Sequence, residues 1–454
     1  MLNAAEKFFI YGVYILVAFL PFNLFILWVF PGFTILTSYW KEIIVSIIFI
    51  KCFTYRLTNA SPLNISSFFF IFIYIAILII RTACDYFSGQ YLYLISYGLY
   101  NYTFFIMLAF ISNSISWNKE KIEFFFRGLF QIISVVSFFA LLDWTFELNR
   151  VIDWKGLREG LLGSWHVGSG YRAYLGCDNP MELGLFCSTG QVICLYFILE
   201  VKEKKFIRSV ANWLCLIVCA LGTLVTLSRG PLIANVLSSL YLLLFRIKNS
   251  SLKNQVEIFM ERIFLIISVA MISVIVTISL SDQGVINHFS AVFDWTEDQA
   301  NLERVGSWKL GLEKFREHPL WGNGIGFTQT RLDKYRRLTL NWKDTFISEG
   351  FLLVLAVEGG TVLLGSFLLI TVHLGLTIYK HTRLMKTSWQ IFVLLGALFI
   401  LFYAEAMIMP IFDTRTFVVL FWSFYGITLR LAFQNDMTLR KQFKIDTLYR
   451  PWAF

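Results

Sequence analysis

The chain has 454 residues, of which 57% are hydrophobic and only 15% are charged. Its mean hydropathy of +0.65 excludes an ordinary soluble globular protein and places most of the chain in lipid. The formal net charge is +9, but the sequence contains no module that combines basic with aromatic residues, so this charge does not indicate nucleic-acid binding.

Apolar runs of bilayer length predict an all-α polytopic membrane protein with about 12 spanning helices. The predicted spans are residues 8–30, 36–55, 66–83, 91–112, 124–147, 181–201, 207–227, 230–246, 259–281, 348–379, 389–409 and 411–433. The first run lacks a small-residue cleavage site, so we interpret it as a helix and not as a removed signal peptide. With both termini placed in the cytoplasm, most Lys and Arg residues of the short loops fall on the cytoplasmic side, as the positive-inside rule requires.

Two segments on the predicted outer side are longer than simple turns, residues 148–180 and 282–347. Long loops within compact folds are usually functional or disordered, and the content of Trp, Gly, Arg and Tyr in these two favours ordered, functional segments. We therefore divide the chain into helices 1–9 with the first loop (1–281), the large loop with short helices (282–347), helices 10–12 (348–433) and a cytoplasmic tail (434–454). The sequence shows no convincing internal repeat, so the inverted-repeat organisation of many transporters is not indicated.

Three arginines are predicted at helix mouths on the outer side. Arg172 precedes the sixth helix, Arg229 lies in the turn between the seventh and eighth, and Arg304 begins a segment of the large loop. Arginine is charged at physiological pH, and its fork of donors matches phosphate oxygens. Gly230 and Pro231 fit a helix N-terminus, whose free N–H groups favour an anion. These residues predict a site for an anionic head group such as a diphosphate, although each arginine alone is also compatible with snorkelling to the membrane surface.

The segment that begins at Arg304 is amphipathic, with apolar residues at helical spacing. These apolar residues are Leu302, Val305, Trp308, Leu312 and Phe315. Pro319 ends the predicted helix, and the glycines that follow it predict a tight loop over residues 322–326. We expect a membrane protein that folds such an element outside the bilayer to use it at the membrane surface.

Carboxylates form a second group of candidate residues. Asp344, Glu349 and Glu358 line the approach to the predicted tenth helix, and Glu405 lies near the outer end of the eleventh. Ionisable groups within spans are costly and therefore indicate function by default. A desolvated carboxylate with a raised pKa can serve as general base for a sugar hydroxyl. A neutralising ion pair, such as Glu405 with Arg415, is the competing interpretation.

Four segments in this order resemble a bacterial superfamily of integral membrane glycan transferases, the O-antigen ligase/polymerase superfamily. They are Arg172 to Pro180 with the Glu182-Leu-Gly that follows, Ser228-Arg229-Gly230, Arg304 to Gly326, and Ser348 to Gly359. The resemblance also covers the layout of the whole chain, with about a dozen helices and one large loop late in the sequence. Ligases of this superfamily usually carry a His after the large loop, where this chain reads Ile347-Ser348-Glu349-Gly350. The missing His favours the polymerase branch.

The resemblance implies a glycan polymerase of the bacterial inner membrane, with the large loop in the periplasm. It implies transfer of a chain from undecaprenyl diphosphate to the non-reducing sugar of another lipid-linked repeat unit, without a metal or another cofactor. The three arginines would bind the diphosphate, and Glu349, or in its place Asp344 or Glu358, would accept the proton of the acceptor hydroxyl. The expected partners are the lipid-linked donor and acceptor and membrane lipid, with a chain-length regulator as a candidate; no nucleic acid is expected.

Two alternatives remain open at this point. One is ligation of the finished chain to a lipid A core or to a protein. The other is transport of an anionic solute, with the same arginines forming its entrance. A transporter should break its helices near the midplane of the bilayer, whereas the visible breaks at Pro180, Pro231 and Pro410 fall near the predicted outer ends.

Overall fold

The computed structural model describes residues 3–23, 26, 34–59, 65–90, 92–148, 166–167, 170–177, 179–201, 206–248, 299–328, 350–384, 389–408 and 414–442. Most of these residues lie in α-helices, as predicted. The described part also contains one short antiparallel sheet of two strands, which the all-α prediction did not include. This sheet lies within the predicted loop 148–180.

The described part of the chain contains thirteen α-helices. They are α1 (Ala4–Phe19), α2 (Thr34–Asn59), α3 (Phe69–Phe87), α4 (Leu92–Thr103), α5 (Ile106–Ser114), α6 (Lys119–Phe146), α7 (Pro180–Glu200), α8 (Phe206–Val225), α9 (Arg229–Lys248), α10 (Gln299–Glu317), α11 (Phe351–Leu384), α12 (Trp389–Ala406) and α13 (Arg415–Gln442). Short 3-10 turns cover Leu20–Phe22 and Ile65–Phe68. Strand β1 (His166–Val167) pairs with β2 (Gly170–Tyr171), with His166 opposite Tyr171.

Eight helices in the described ranges are long and apolar enough to cross a membrane. They are Ala4–Phe22, Phe69–Phe87, Lys119–Phe146, Pro180–Glu200, Phe206–Val225, Phe351–Arg383, Trp389–Ala406 and Thr416–Thr438. The chain is therefore a multi-pass membrane protein. The finer prediction of about 12 spans is not confirmed by these helices, and the predicted ninth span, 259–281, lies outside the described residues.

The predicted fourth span, residues 91–112, is wrong as a single helix. Helices α4 and α5 are separated by a turn at Phe104 and Phe105. The two rings pack edge to face with their centroids 5.2 Å apart, and Phe104 also packs on Tyr100 at 5.4 Å. Because both turn residues are apolar, the hydropathy of the segment continues across the break and does not reveal it.

Helix α7 lies at the centre of the bundle, where 89% of its most apolar stretch is buried. A helix that is apolar on all sides is expected in such a position. Gly190 allows its neighbours to approach closely, since a Cβ there would lie 2.5 Å from Cγ2 of Ile133 and 2.9 Å from Sγ of Cys219. Helix α7 therefore forms a fixed support for the residues that precede it.

One face of the bundle collects the ends of α1, α3, α6, α8 and α12 and the starts of α7, α9 and α11; we call it the arginine face. Backbone bonds join these ends, for example from Gly176 N–H to the carbonyl oxygen of Pro21 at 2.6 Å. The opposite face is joined by contacts such as the one from Gln390 to Glu200 at 2.9 Å. The sites described next all lie at the arginine face.

Candidate active site

Arg172 is held by the turn between α8 and α9. Its Nε donates to the carbonyl oxygen of Thr226 at 3.0 Å, and its Nη2 donates to Oγ of Ser228 at 2.8 Å. The next residue, Ala173, donates its N–H to the carbonyl oxygen of Val225 at 3.0 Å. Arg172 and the turn that carries the next predicted arginine therefore form one unit.

Asp143, a fully buried residue near the end of α6, anchors the segment around Arg172. Its carboxylate accepts hydrogen bonds from the hydroxyl of Tyr171 at 3.1 Å and from the N–H groups of Tyr174 at 3.1 Å and Leu175 at 2.9 Å. Burial of a carboxylate without partners costs free energy, and these hydrogen bonds offset that cost. Sequence reasoning missed Asp143, because an acidic residue at the end of an apolar run carries no signal of its distant partners.

Arg229 and Arg304 approach the same region from two other elements. Arg229 begins α9, after a turn in which Leu227 has φ +48° and donates its N–H to the carbonyl oxygen of Leu224 at 2.8 Å. Arg304 lies in α10, and its Nη2 is 3.9 Å from Sδ of Met181, in the first turn of α7. Helix α10 thus places Arg304 beside the start of the helix that follows Arg172.

Arg229 and Arg304 both act electrostatically on Arg172. Each of them is half-buried. Burial of the guanidinium, together with the neighbouring cations Arg304 and Arg229, lowers the pKa of Arg172 to about 10. A like charge lowers the pKa of a base only when the two groups are close. The structure therefore brings the three arginines together at one face, and their role in binding stays a proposal.

Glu358, the third candidate base, is engaged by the loop that follows α10. Its buried carboxylate accepts hydrogen bonds from the hydroxyl of Tyr102 at 2.8 Å and from the N–H groups of Gly326 and Thr328, both at 2.9 Å. The hydroxyl of Thr328 donates to it as well. These bonds use the lone pairs that a general base would offer to a sugar hydroxyl, so the geometry favours an anchoring role.

The predicted tight loop after Pro319 is confirmed, and its glycines are required by the backbone. Gly322 and Gly324 have φ values of +72° and +116°, which residues with a Cβ rarely adopt. A Cβ on Gly324 would lie 1.9 Å from Nε2 of Gln90, which donates to the carbonyl oxygen of Asn323 at 2.9 Å. The loop therefore rests directly on the end of α3 and the turn that follows it.

A second carboxylate, Asp85, fixes the same loop from α3. Its side chain accepts the N–H of Ile325 at 2.8 Å and pairs with Arg81, one helical turn earlier, at 2.7 Å. Asp85 is almost fully buried. Neither Arg81 nor Asp85 was singled out from the sequence, because the pair reads locally as a salt bridge on a helix surface.

The loop also enters a break in α11. Gly360 has φ +66° and ψ −165°, which interrupts the helix. The N–H of Thr361 donates to the carbonyl oxygen of Pro319 at 2.8 Å, and the N–H of Asn323 donates to that of Val357 at 2.8 Å. Backbone bonds between the loop and the helix thus replace bonds that the helix loses at the break.

The other two candidate bases, Asp344 and Glu349, lie outside the described residues. Gly350, the residue after Glu349, is described. A Cβ on Gly350 would lie 3.0 Å from the carbonyl oxygen of Met407 and 3.9 Å from Nε1 of Trp308. Trp308 is one helical turn beyond Arg304 on α10, so the chain returns to the membrane close to the helix that carries Arg304.

Glu405 is fully buried near the end of α12, next to the start of α9. A Cβ on Gly230 would lie 2.9 Å from its Oε2 and 3.0 Å from its Oε1. No local sequence pattern indicated this contact. The side chain of Arg415, its predicted partner, is outside the described part of the structure.

The charges at this face suit an anionic ligand. Three guanidinium groups and the start of α9 supply donors and positive potential. Within the ranges given above, no group of three or more His, Cys, Asp or Glu side chains is placed to hold a metal ion. The arginine face therefore presents a cluster of fixed cations to a ligand.

Comparison with known families identifies part of the chain. Residues 214–368 match the family model described as O-antigen ligase. This segment is similar to an O-antigen ligase family domain. The match confirms the predicted resemblance to the O-antigen ligase/polymerase-type membrane family, and it indicates a glycosyltransferase-like enzyme. The matched range contains Arg229, Arg304 and Glu358. No curated protein matches the chain.

Proposed function

We propose that this protein is a polymerase of a surface glycan such as O-antigen, acting at the periplasmic face of the bacterial inner membrane with both termini in the cytoplasm. The donor is a glycan on undecaprenyl diphosphate, and the acceptor is a second lipid-linked repeat unit. The observation that carries the proposal is the grouping of Arg172, Arg229 and Arg304. They come from three separate elements of a chain with an O-antigen ligase family domain.

The arginines bind the diphosphate in this proposal and stabilise the charge that develops as it leaves. Guanidinium groups can grip phosphate oxygens in pairs, and three of them match a group with two phosphates. Cations that repel one another, as those around Arg172 do, become more favourable when an anion lies between them. Preorganised charge of this kind acts most strongly on the leaving group in the transition state.

The transfer step forms one bond and breaks one. The oxygen of the acceptor hydroxyl attacks the anomeric carbon of the donor sugar, and the bond from that carbon to the diphosphate oxygen breaks. The diphosphate departs with the electron pair of that bond, and the proton of the hydroxyl passes to a carboxylate. Every atom is accounted for by donor, acceptor and carboxylate, and no metal or other cofactor is needed in the scheme.

Glu349 is the first candidate for the proton-accepting carboxylate, followed by Asp344. The position of Gly350 beside Trp308 supports this order, because Trp308 lies one turn from Arg304 on the same helix. Glu358 is the weakest candidate, since hydrogen-bond donors from the loop already engage its carboxylate.

The lipid carriers reach the site from the bilayer in this proposal, through lateral gaps between helices. A polyprenyl tail is apolar and stays in the membrane, while its diphosphate stops at the arginine face. The donor and acceptor lipids are therefore the principal partners, and a chain-length regulator is a candidate third.

Ligation is the second candidate function, because the matching family model is itself described as O-antigen ligase. A ligase would use the same donor and the same leaving group, and would transfer the finished chain to a lipid A core or to a protein. Against it stands the sequence after the large loop, where Ile347, Ser348 and Glu349 occupy the place of the usual His.

The test compares the surface glycan and the lipid-linked intermediates of a strain that lacks the gene with those of its parent. Surface lipid that carries a single repeat unit identifies a polymerase. Long polymer that remains on undecaprenyl diphosphate, with none at the surface, identifies a ligase. An unchanged profile would overturn both glycan functions and would leave transport of an anionic solute as the next hypothesis.

A further inference from the structure

The position of Glu405 carries a consequence for the arginine cluster. Glu405 is the penultimate residue of α12, and none of its surface is exposed. A Cβ on Gly230 would lie 2.9 and 3.0 Å from its two carboxylate oxygens, closer than side chains normally approach. Any side chain at position 230 would therefore have to displace this carboxylate.

The carboxylate lies at the place where the sequence predicted an external anion. The start of α9, at Arg229 and Gly230, was expected to attract an anion because the first N–H groups of a helix lack partners within it. A negative charge near a helix N-terminus is stabilised by the helix dipole. The described structure shows that a carboxyl group of the protein itself, that of Glu405, packs against this first turn.

Glu405 also affects the balance of charge at the site. Arg229, which is adjacent to Gly230 in sequence, is one of the two cations that disfavour the charged form of Arg172. In its ionised form, a buried carboxylate next to this turn offsets part of that repulsion, because charges interact strongly where water is excluded. It also lowers the attraction of the cluster for any external anion.

We infer that Glu405 is a positioning residue of the diphosphate site: it holds the Arg229 turn and limits the affinity of the arginine cluster, so that the diphosphate product leaves. The inference rests on the proposed function. Tight binding of the ground state or the product does not speed a reaction. A carboxylate that weakens such binding therefore favours turnover.

The experiment measures binding of inorganic pyrophosphate to the purified full-length protein by calorimetry, together with polymer formation in cells. Glu405→Gln keeps the shape of the side chain and removes its charge, so pyrophosphate should bind about tenfold more tightly. Polymer formation should fall at the same time. A merely structural role would lower binding and polymer formation together.

Gly230→Ala provides a second test that changes no charge. The added Cβ would displace the Glu405 carboxylate and should also tighten pyrophosphate binding. Gly365→Ala is the matched control, because a Cβ there meets nothing within 4 Å. Its pyrophosphate affinity and polymer should equal those of the unmodified protein.

Two results would overturn the inference. One is a folded Glu405→Gln protein, with an unchanged melting temperature, that binds pyrophosphate no more tightly than the unmodified protein. If Glu405→Gln does not fold, the other is a Gly230→Ala protein that binds no more tightly than Gly365→Ala. Failure of the proposed function gives a different result: Arg229→Ala would then bind pyrophosphate as well as the unmodified protein does.

Discussion

The arginine cluster and the loop anchored by carboxylates lie on the same face of the bundle, but their charges have opposite surroundings. Asp85 and Glu358 are buried, and hydrogen-bond donors from the loop engage both of them. Arg172, Arg229 and Arg304 are half-buried, and the latter two disfavour the charged form of Arg172 although its guanidinium donates to Thr226 and Ser228. A buried charge surrounded by partners stabilises architecture, whereas like charges held together despite repulsion indicate a site that is completed by a ligand of opposite sign.

The largest expected effect is a loss of activity, and it distinguishes the arginine cluster from the loop anchored by carboxylates. Arg229→Ala or Arg304→Ala should lower polymer formation by about 10²–10³-fold, the effect of removing one preorganised donor from a developing charge. The amount of protein in the membrane should stay unchanged. Gel analysis of the surface glycan, with immunoblotting of the membrane fraction, measures both quantities.

Arg316→Ala is a suitable control for these variants, because Arg316 lies on α10 as Arg304 does but is exposed. It should leave the polymer unchanged. Full polymer in both the Arg229 and the Arg304 variants would contradict the proposal that the cluster binds the diphosphate.

The next effect concerns stability. Glu358→Ala would leave the hydroxyl of Tyr102 and the N–H groups of Gly326 and Thr328 buried without their acceptor. Removing one partner of a buried charged interaction costs about 3–5 kcal/mol of unfolding free energy. The melting temperature of the purified protein should therefore fall clearly, and fall less in Glu358→Gln, which keeps one acceptor.

Glu313→Ala, an exposed change on α10, is the control for stability. If Glu358→Ala instead melted like the unmodified protein but made no polymer, Glu358 would be a catalytic base and not an anchor.

A smaller loss of stability is expected from Gly324→Ala. The residue would have to adopt φ +116°, and its Cβ would force Gln90 away from Asn323. Strained backbone of this kind costs about 1–3 kcal/mol. The control is Gly365→Ala, where the added Cβ meets open space. The difference between the two melting temperatures measures the cost of the strained backbone. Equal melting temperatures would show that the loop adapts freely.

The smallest expected effect is a dependence on pH. The pKa of Arg172 is lowered to about 10, so the cluster should lose one positive charge as the pH rises through that value. Binding of inorganic pyrophosphate should then weaken over this range, most clearly between pH about 9 and about 11. Pyrophosphate itself titrates in the same way with every variant. Arg172→Ala should therefore lack the part of the weakening that comes from Arg172. An identical pH profile of binding in both proteins would contradict the prediction.

Local features of the fold were predictable from local residues. The helix that carries Arg304, the stop before Pro319 and the loop at Gly322 all depend on side chains within a few positions of one another. The predicted apolar face of that helix is not uniformly covered, since Leu302 and Leu312 are exposed. Helix α10 ends at Glu317, and α9 (Arg229–Lys248) nearly coincides with its predicted span, residues 230–246. The large loop was predicted to contain short helices, but the described α10 has 19 residues.

Contacts between distant residues were not predictable in the same way. The bond from Tyr102 to Glu358 joins residues 256 positions apart. Neither residue interrupts its apolar segment in a way that would identify the other as its partner. The same holds for Asp143, whose partners lie in a loop. The grouping of the arginines could be anticipated, because counting spans placed all three on one side of the membrane before any contact was known.

The bond between Asp85 and Ile325 has a consequence for the synthesis of the protein. These residues are 240 positions apart, so the ribosome completes α3 long before the loop that engages it. Until then Asp85 has Arg81 beside it in the membrane but lacks the N–H of Ile325. A chain halted before residue 325 therefore keeps an incompletely satisfied carboxylate at the end of an early helix.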